Sequence, residues 1–238
     1  SWRHHYDSIN DSDRVKIRAD IARFSKQPLI SILMPTYNTN EDWLRKAIDS
    51  VRAQLYENWE LCIADDHSKH STVKRVLNEY AKKDSRVRVT FRDKNGHISA
   101  ASNTALDLVR GEYVAIMDHD DELTEHAMYL VAREAVAHPE TIIFYSDEDK
   151  IDERGGYTYD PNFKPEWNSD LFYSQNYINH LTVYRTSAVR EVGGFRLGFE
   201  GSQDYDLALR VIEGFKDASR EIRHIPHVLY HWRAVSGS

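Results

Sequence analysis

The sequence predicts an α/β domain built on a mostly parallel central sheet with helices on both faces. Three observations carry this. Short apolar runs alternate with stretches of helical periodicity from Leu29 to Tyr145, and regular β-α-β-α alternation builds parallel sheets. The 238 residues are 41% hydrophobic and 29% charged, which suits a soluble domain with a sizeable core. Polar and acidic residues gather just past the ends of the apolar runs, where open parallel sheets bind their ligands.

In chain order, residues 1–27 are polar and predict a lead-in with one helix, Arg14 to Phe24, packed on the outside of the α/β domain. Leu29 to Met34 is the first strand. Glu41 to Leu55 is a helix, because Trp43, Leu44, Ala47, Ile48 and Val51 recur at helical spacing and Asn40 caps its start. Trp59 to Ala64, Val87 to Phe91 and Tyr113 to Met117 are further strands, with helices at Thr72 to Lys82 and Ser99 to Leu108 between them. An Asn95-Gly96 turn precedes the second of these helices and Gly111 ends it. A helix from Glu125 to Ala137 and a strand from Ile142 to Tyr145 complete the alternation. After Asp147 glycine, proline, asparagine and aromatic residues become frequent. The domain therefore divides into 28–121 and 122–238, the second part given over to another substrate.

A net charge of -7 and a pI near 5.9 exclude wrapping a nucleic-acid backbone, which needs a basic face. The single cysteine, Cys62, lies in the apolar segment Leu61-Cys62-Ile63-Ala64, where it reads as a core residue of a reducing, cytoplasmic protein. No apolar run approaches the ~20 residues that cross a bilayer, and the first residues carry no signal-peptide pattern. Peripheral attachment at the inner face of the cytoplasmic membrane stays open. The ending Val235-Ser236-Gly237-Ser238 reads as a boundary within a larger multidomain protein.

The chemistry concentrates in four places. Asp118-His119-Asp120-Asp121 follows the fourth strand. Acids at i and i+2 on extended backbone share a side, and hard cations such as Mg²⁺ or Mn²⁺ take one or two carboxylates together with substrate phosphates. Punctuation of a loop is the plainer reading of Asp120 or Asp121. The chain has neither a G-x-x-x-x-G-K-[ST] segment nor a G-x-G-x-x-G turn after its first strand. A cation on the acidic pair would neutralise a diphosphate in their place. At the first strand exit Tyr37 offers a ring to stack on a base, or is simply a half-buried loop aromatic. At the second, Asp66 can accept from the imide N–H of uracil or thymine, or serve as a turn carboxylate. Finally, a glycine-containing loop from Gly198 delivers Asp204 to the start of a helix, Tyr205 to Glu213. There it is either a general base for a sugar acceptor or an N-cap.

Together these segments resemble an inverting family 2 glycosyltransferase of the GT-A fold, from Pro28 to the C-terminus. Ser31-Ile32-Leu33-Met34-Pro35-Thr36-Tyr37-Asn38 is similar to that family's first strand and nucleotide loop. Ile63-Ala64-Asp65-Asp66-His67-Ser68 resembles its V-D-D-x-S segment, Tyr113 to Asp121 its D-x-D strand, and Gln203-Asp204 its Glu-Asp pair. The resemblance implies base contacts from Pro35, Tyr37 and Asp66, with Asp118 near the ribose. It implies a Mn²⁺ or Mg²⁺ on Asp120 and proton abstraction by Asp204. Relatives place a metal-binding His two residues beyond an Arg in the last motif, where this chain has Val235; His231 is the substitute expected here. Tyr145 to Lys150, Phe163 to Trp167 and Leu229 to Arg233 look like the bacterial O-antigen and polysaccharide subgroup. The implied partners are a UDP- or dTDP-sugar donor and a glycan or lipid-linked glycan acceptor, for a hexosyl or deoxyhexosyl transfer. Two other readings compete: a D-x-D phosphohydrolase, and a non-catalytic glycan-binding or scaffolding domain descended from a transferase. The phosphohydrolase would carry its acids after the first strand, not the fourth.

Overall fold

The computed structural model describes residues 8–214 and 221–235; the first seven residues of the lead-in and the terminal Ser236-Gly237-Ser238 lie outside them. The lead-in helix α1 (Asp11–Ile21) starts earlier than periodicity suggests, because Asn10 and Asp13 close a reciprocal capping box. Its Arg14 grips Glu125 through two nitrogens, at 2.6 and 2.9 Å, and Asp20 accepts from the Tyr129 hydroxyl at 2.7 Å. The lead-in is thereby fixed to the body of the domain.

The alternation then runs β1 (Ile30–Thr36), α2 (Glu41–Arg52), β2 (Trp59–Asp65), α3 (Ser71–Lys83), β3 (Val87–Phe91), α4 (His97–Leu106) and β4 (Tyr113–Ile116). Strands β3, β2, β1 and β4 lie side by side and all parallel, as the pattern predicts. The second half departs from it. The chain continues through β5 (Glu122–Leu123), α5 (Ala127–Ala137), β6 (Ile143–Ile151), β7 (Thr158–Asn162), α6 (Ser169–Ser174), β8 (Thr182–Arg185), α7 (Thr186–Glu191), α8 (Gln203–Gly214) and β9 (Ile222–Arg233). Strand β8 joins β4 and β6 antiparallel, β9 runs parallel to β6, and β5 and β7 pair antiparallel at the periphery. The sheet is thus parallel on one side and mixed on the other, and β6 extends well beyond the predicted Tyr145.

Two cores flank the sheet, and strand alternation sorts residues between them. Ile32 and Met34 pack with Leu44, Ile48 and Val51 of α2 and Val73, Val76 and Leu77 of α3. Leu33 and Cys62 pack on the other face with Ala105 and Leu106 of α4 and Leu207, Ala208 and Val211 of α8. Cys62 is fully buried and unpaired, as expected. No helix among the described residues is long and apolar enough to cross a membrane.

Candidate active site

The register of the parallel strands brings three exits together. Thr36 pairs with Asp65, the Asp66 N–H donates to the Thr36 carbonyl at 2.8 Å, and the Met117 N–H donates to Leu33 at 3.0 Å. Pro35, Tyr37 and Asp66 consequently line one cavity of about 300 Å³, with Asn95, His97 and His119 completing its walls. The Asp66 carboxylate is almost wholly buried and accepts from Arg92 Nε at 2.8 Å and from the Gly96 N–H at 3.0 and 3.1 Å. Gly96 is required for this approach: a Cβ there would lie 2.7 Å from the Arg92 guanidinium. Asp65 has a different task. It accepts the N–H and hydroxyl of Ser68, whose Oγ accepts the Asn38 N–H at 2.8 Å, and so ties the two loops together. Asn38, His67 and His97 adopt positive φ angles of 49°, 62° and 64°. Left-handed conformations at non-glycine residues cost energy and concentrate at functional loops; His97 lines the cavity, and Asn38 and His67 directly follow its lining residues Tyr37 and Asp66.

The acidic cluster sits in a turn, not on extended backbone. Strand β4 stops at Ile116, and His119 and Asp120 turn the chain into β5. The i, i+2 alternation expected for Asp118 and Asp120 therefore does not apply. The residues instead separate by burial. Asp118 and Asp120 are part-exposed, while Asp121 is 1% exposed. One Asp121 oxygen accepts from the Tyr230 hydroxyl at 2.6 Å and the other from the Arg233 N–H at 2.7 Å. The Tyr230 hydroxyl in turn accepts the Asp118 N–H at 3.1 Å, and Arg233 Nε donates to the Asp120 carbonyl at 2.6 Å. Burial, then the charges of Asp118 and Asp120, push the Asp121 carboxyl well above the usual carboxylate range. His119 links this turn to the cavity beside Tyr37 and Asp66, its Nδ1 lying 3.2 Å from the Pro35 carbonyl.

This donor set fits a hard cation that draws most of its ligands from elsewhere. Two part-exposed carboxylates stand beside a buried third, a concentration of negative charge that a cation relieves. Among the described residues no three His, Cys, Asp or Glu side chains are arranged to hold a metal by themselves, so phosphate oxygens and water would have to supply the rest. His231 is not brought into this group. Its Nδ1 meets Asp149, while the ring of its neighbour Tyr230 reaches the turn.

The fourth element closes the site. Helix α8 begins at Gln203, which puts Asp204 inside the first turn, so the N-cap reading does not hold. Asp204 Oδ2 accepts from Gln203 Nε2 at 3.2 Å and from Asn179 Nδ2 at 3.4 Å. The His180 ring stacks on Tyr230, centroids 4.8 Å apart. Burial, then the charge of Asp118, lifts the Asp204 carboxyl to about 6, against the pull of His180 and the Asn179 amide. Asp204 and the acidic turn thus share one electrostatic environment. The sequence marks Asn176 to His180 only as an acceptor-holding stretch and Leu229 to Arg233 only as a subgroup motif; the contacts of Asn179 with Asp204, of His180 with Tyr230 and of Tyr230 with Asp121 were not foreseen. Asn95 and Gly96 were visible only as a turn.

Comparison with known proteins agrees with this arrangement. Residues 31–193 match the family described as Glycosyl transferase family 2. An uncharacterized protein, y4gI, of Sinorhizobium fredii is 54% identical over 92% of this chain, and the O-antigen biosynthesis protein RfbC of Myxococcus xanthus is 38% identical over 92%. The chain spans only 24% and 17% of those two relatives. A chondroitin synthase of Escherichia coli is 30% identical over 84% of the chain, which spans 29% of it. Among solved structures, S. aureus TarS 1-349 in complex with UDP-GlcNAc superposes with a TM-score of 0.70 at 19% identity, covering 88% of this chain and 59% of that one. The fold is that of the GT-A glycosyltransferases, and the chain belongs to glycosyl transferase family 2.

Proposed function

We propose that the protein transfers a sugar from a UDP- or dTDP-linked donor to a hydroxyl of a glycan or lipid-linked glycan, with inversion, in bacterial surface polysaccharide assembly on the cytoplasmic side. The observation that carries this reading is the convergence of the base-sized cavity, the acidic turn and Asp204. The names of the relatives, among them an O-antigen biosynthesis protein and a chondroitin synthase, support the acceptor class.

In this reading Tyr37 stacks on the pyrimidine, Pro35 packs its edge, and Asp66 accepts its imide N–H. Asp118 lies toward the ribose. A Mn²⁺ or Mg²⁺ ion on Asp120 and the diphosphate oxygens would neutralise charge on the leaving group. Asp204 takes the acceptor proton. The acceptor oxygen attacks the anomeric carbon opposite the diphosphate, and the old C–O bond breaks with its electron pair leaving on the diphosphate. A carboxyl at about 6 is ionised at neutral pH yet binds a proton more tightly than an ordinary aspartate, as a general base should.

The test is donor turnover. Nucleotide sugars are screened for hydrolysis, water standing in for the acceptor, with Mn²⁺ and with Mg²⁺. Asp204→Asn should lower the rate at least ~100-fold while UDP still binds. Wild-type rates in that variant would remove Asp204 from the mechanism. Absence of turnover with every donor, with binding retained, would favour a non-catalytic descendant.

A further inference from the structure

Lys164 is a lysine where the physics opposes one. Its side chain is 1% exposed, and burying an ammonium is costly without close partners. Burial pulls its pKa down to about 8, against the opposing charges of Glu148 and Asp147. Glu148 Oε2 lies 3.8 Å from Nζ, too far for a hydrogen bond. Both groups bond to the backbone of one residue, His180. Lys164 Nζ donates to the His180 carbonyl, and the His180 N–H donates to Glu148 Oε2 at 2.7 Å. The neighbours fix the pair from outside. The Lys164 N–H donates to Asp147 at 2.8 Å, Asp147 lies 2.7 Å from His224 Nε2, and Asn162 donates to the other Glu148 oxygen at 3.1 Å.

His180 is the residue through which the base meets the acidic turn. Asn179, one position before it, donates to Asp204, and the His180 ring lies on Tyr230, whose hydroxyl holds Asp118 and Asp121. The charged or titratable groups around Asp204 are Asp118 from the turn, His180 from the loop before β8, and Tyr184 from β8 itself. Of these, His180 is gripped at both its carbonyl and its N–H, by the buried Lys164 and the part-exposed Glu148.

We propose that Lys164 and Glu148 are positioning residues: clamped on the His180 backbone, they hold Asn179 and His180 against Asp204. This rests on Asp204 being the base. It assigns work to two residues, from the Phe163 to Trp167 and Tyr145 to Lys150 segments, that otherwise read as an isolated buried ion pair.

The experiment is donor hydrolysis by the folded protein, using whichever nucleotide sugar the wild type hydrolyses fastest. Four variants are compared: Glu148→Ala, Glu148→Gln, Lys164→Met, and the double Lys164→Met/Glu148→Gln, which leaves no unpaired buried charge. Thermal melts establish which are folded. The expected result is a kcat at least ~10-fold lower in Glu148→Ala, Lys164→Met and the double variant, corresponding to about 1.4 kcal/mol of transition-state stabilisation. Donor KM and UDP affinity should stay within about twofold, because the nucleotide cavity lies at other strand exits. The acid limb of the kcat profile should move to higher pH, since losing His180 and Asn179 removes two influences that lower the Asp204 pKa. Glu148→Gln keeps an acceptor for the His180 N–H and should retain more activity than Glu148→Ala. Folded variants with wild-type kcat and an unmoved acid limb would overturn the positioning role. An Asp204→Asn control separates the failures. If it is as active as wild type, the base assignment falls first and the clamp with it. If it is inactive while the clamp variants are unaffected, only the clamp falls.

Discussion

Replacing Asp204 by asparagine should make the protein more stable at neutral pH while it abolishes turnover. The folded carboxyl sits at about 6 against an ordinary 3.8, so the folded state binds its proton more tightly than the unfolded chain does. The sign follows from linkage. Below pH 3.8 both states hold the proton and Asp204 costs nothing. Between 3.8 and 6 the unfolded chain ionises first, and stability falls as pH rises. Above 6 the penalty is complete. Two pKa units at roughly 1.4 kcal/mol each give about 3 kcal/mol, and solvent screening at this part-exposed group brings that to about 2. Asparagine keeps an oxygen for Asn179 and Gln203 and carries no charge. Chemical denaturation of both proteins at pH 7.5 should therefore show the variant more stable by about 2 kcal/mol, and at pH 4.5 by about 1 kcal/mol or less. A variant equally or less stable at pH 7.5 would refute the claim that burial and Asp118 strain this carboxylate. An active-site residue that works against the fold is a familiar outcome where stability and catalysis compete.

The same geometry sets three further outcomes. Donor hydrolysis should rise with pH through about 6 and then level off, as Asp204 ionises; a flat profile from pH 5 to 8 contradicts its role as base. Tyr230→Phe deletes the hydroxyl that links the Asp118 N–H to the buried Asp121. It should cost about 2 kcal/mol, lowering the melting temperature by roughly 4–8 °C for a domain of this size; a drop within 1 °C would mean that the turn does not depend on it. Asp66→Asn should weaken UDP binding about tenfold in calorimetry and leave the weak binding of ADP unchanged. Equal losses for the two nucleotides would mean that Asp66 supports the loop without reading the base.

The first half of the molecule was legible because each strand there is flanked by a helix of clear period. Leu33 and Met34 point to opposite cores, yet the run from Leu29 to Met34 is apolar but for Ser31, as a strand covered on both faces should be. The meeting of the first two strand ends was legible for the same reason: once β1 and β2 are parallel neighbours, Tyr37 and Asp66 come to line one cavity. The second half resisted. Strands β5 and β8 are two and four residues long, too short to show a period. β6 carries Asp147, Glu148, Asp149 and Lys150 within a buried strand, where alternation in the sequence is masked by charge. Lys164 stood out only as part of the Phe163 to Trp167 motif, and nothing local announces its burial, because lysine is nearly always exposed. The contribution of Asn179 and His180 depends on contacts to residues far along the chain, which no local pattern encodes.

The grip of Tyr230 and Arg233 on the acidic turn has a consequence for the order in which the molecule assembles. Asp121 waits 109 residues for the Tyr230 hydroxyl and 112 for the Arg233 amide. A nascent chain can emerge through β4, pair four parallel strands and shape the cavity at Tyr37 and Asp66 long before β9 is synthesised. Until β9 docks, the aspartate destined for burial has neither partner, and it will favour water over the interior. The two ends of the candidate site therefore mature at different times, the cavity lined by Tyr37 and Asp66 early and the acidic turn last. Such distant closure also slows folding. The acidic turn acquires its final form only once β9 has joined the sheet, so this part of the molecule depends on the most distant pairing in the fold.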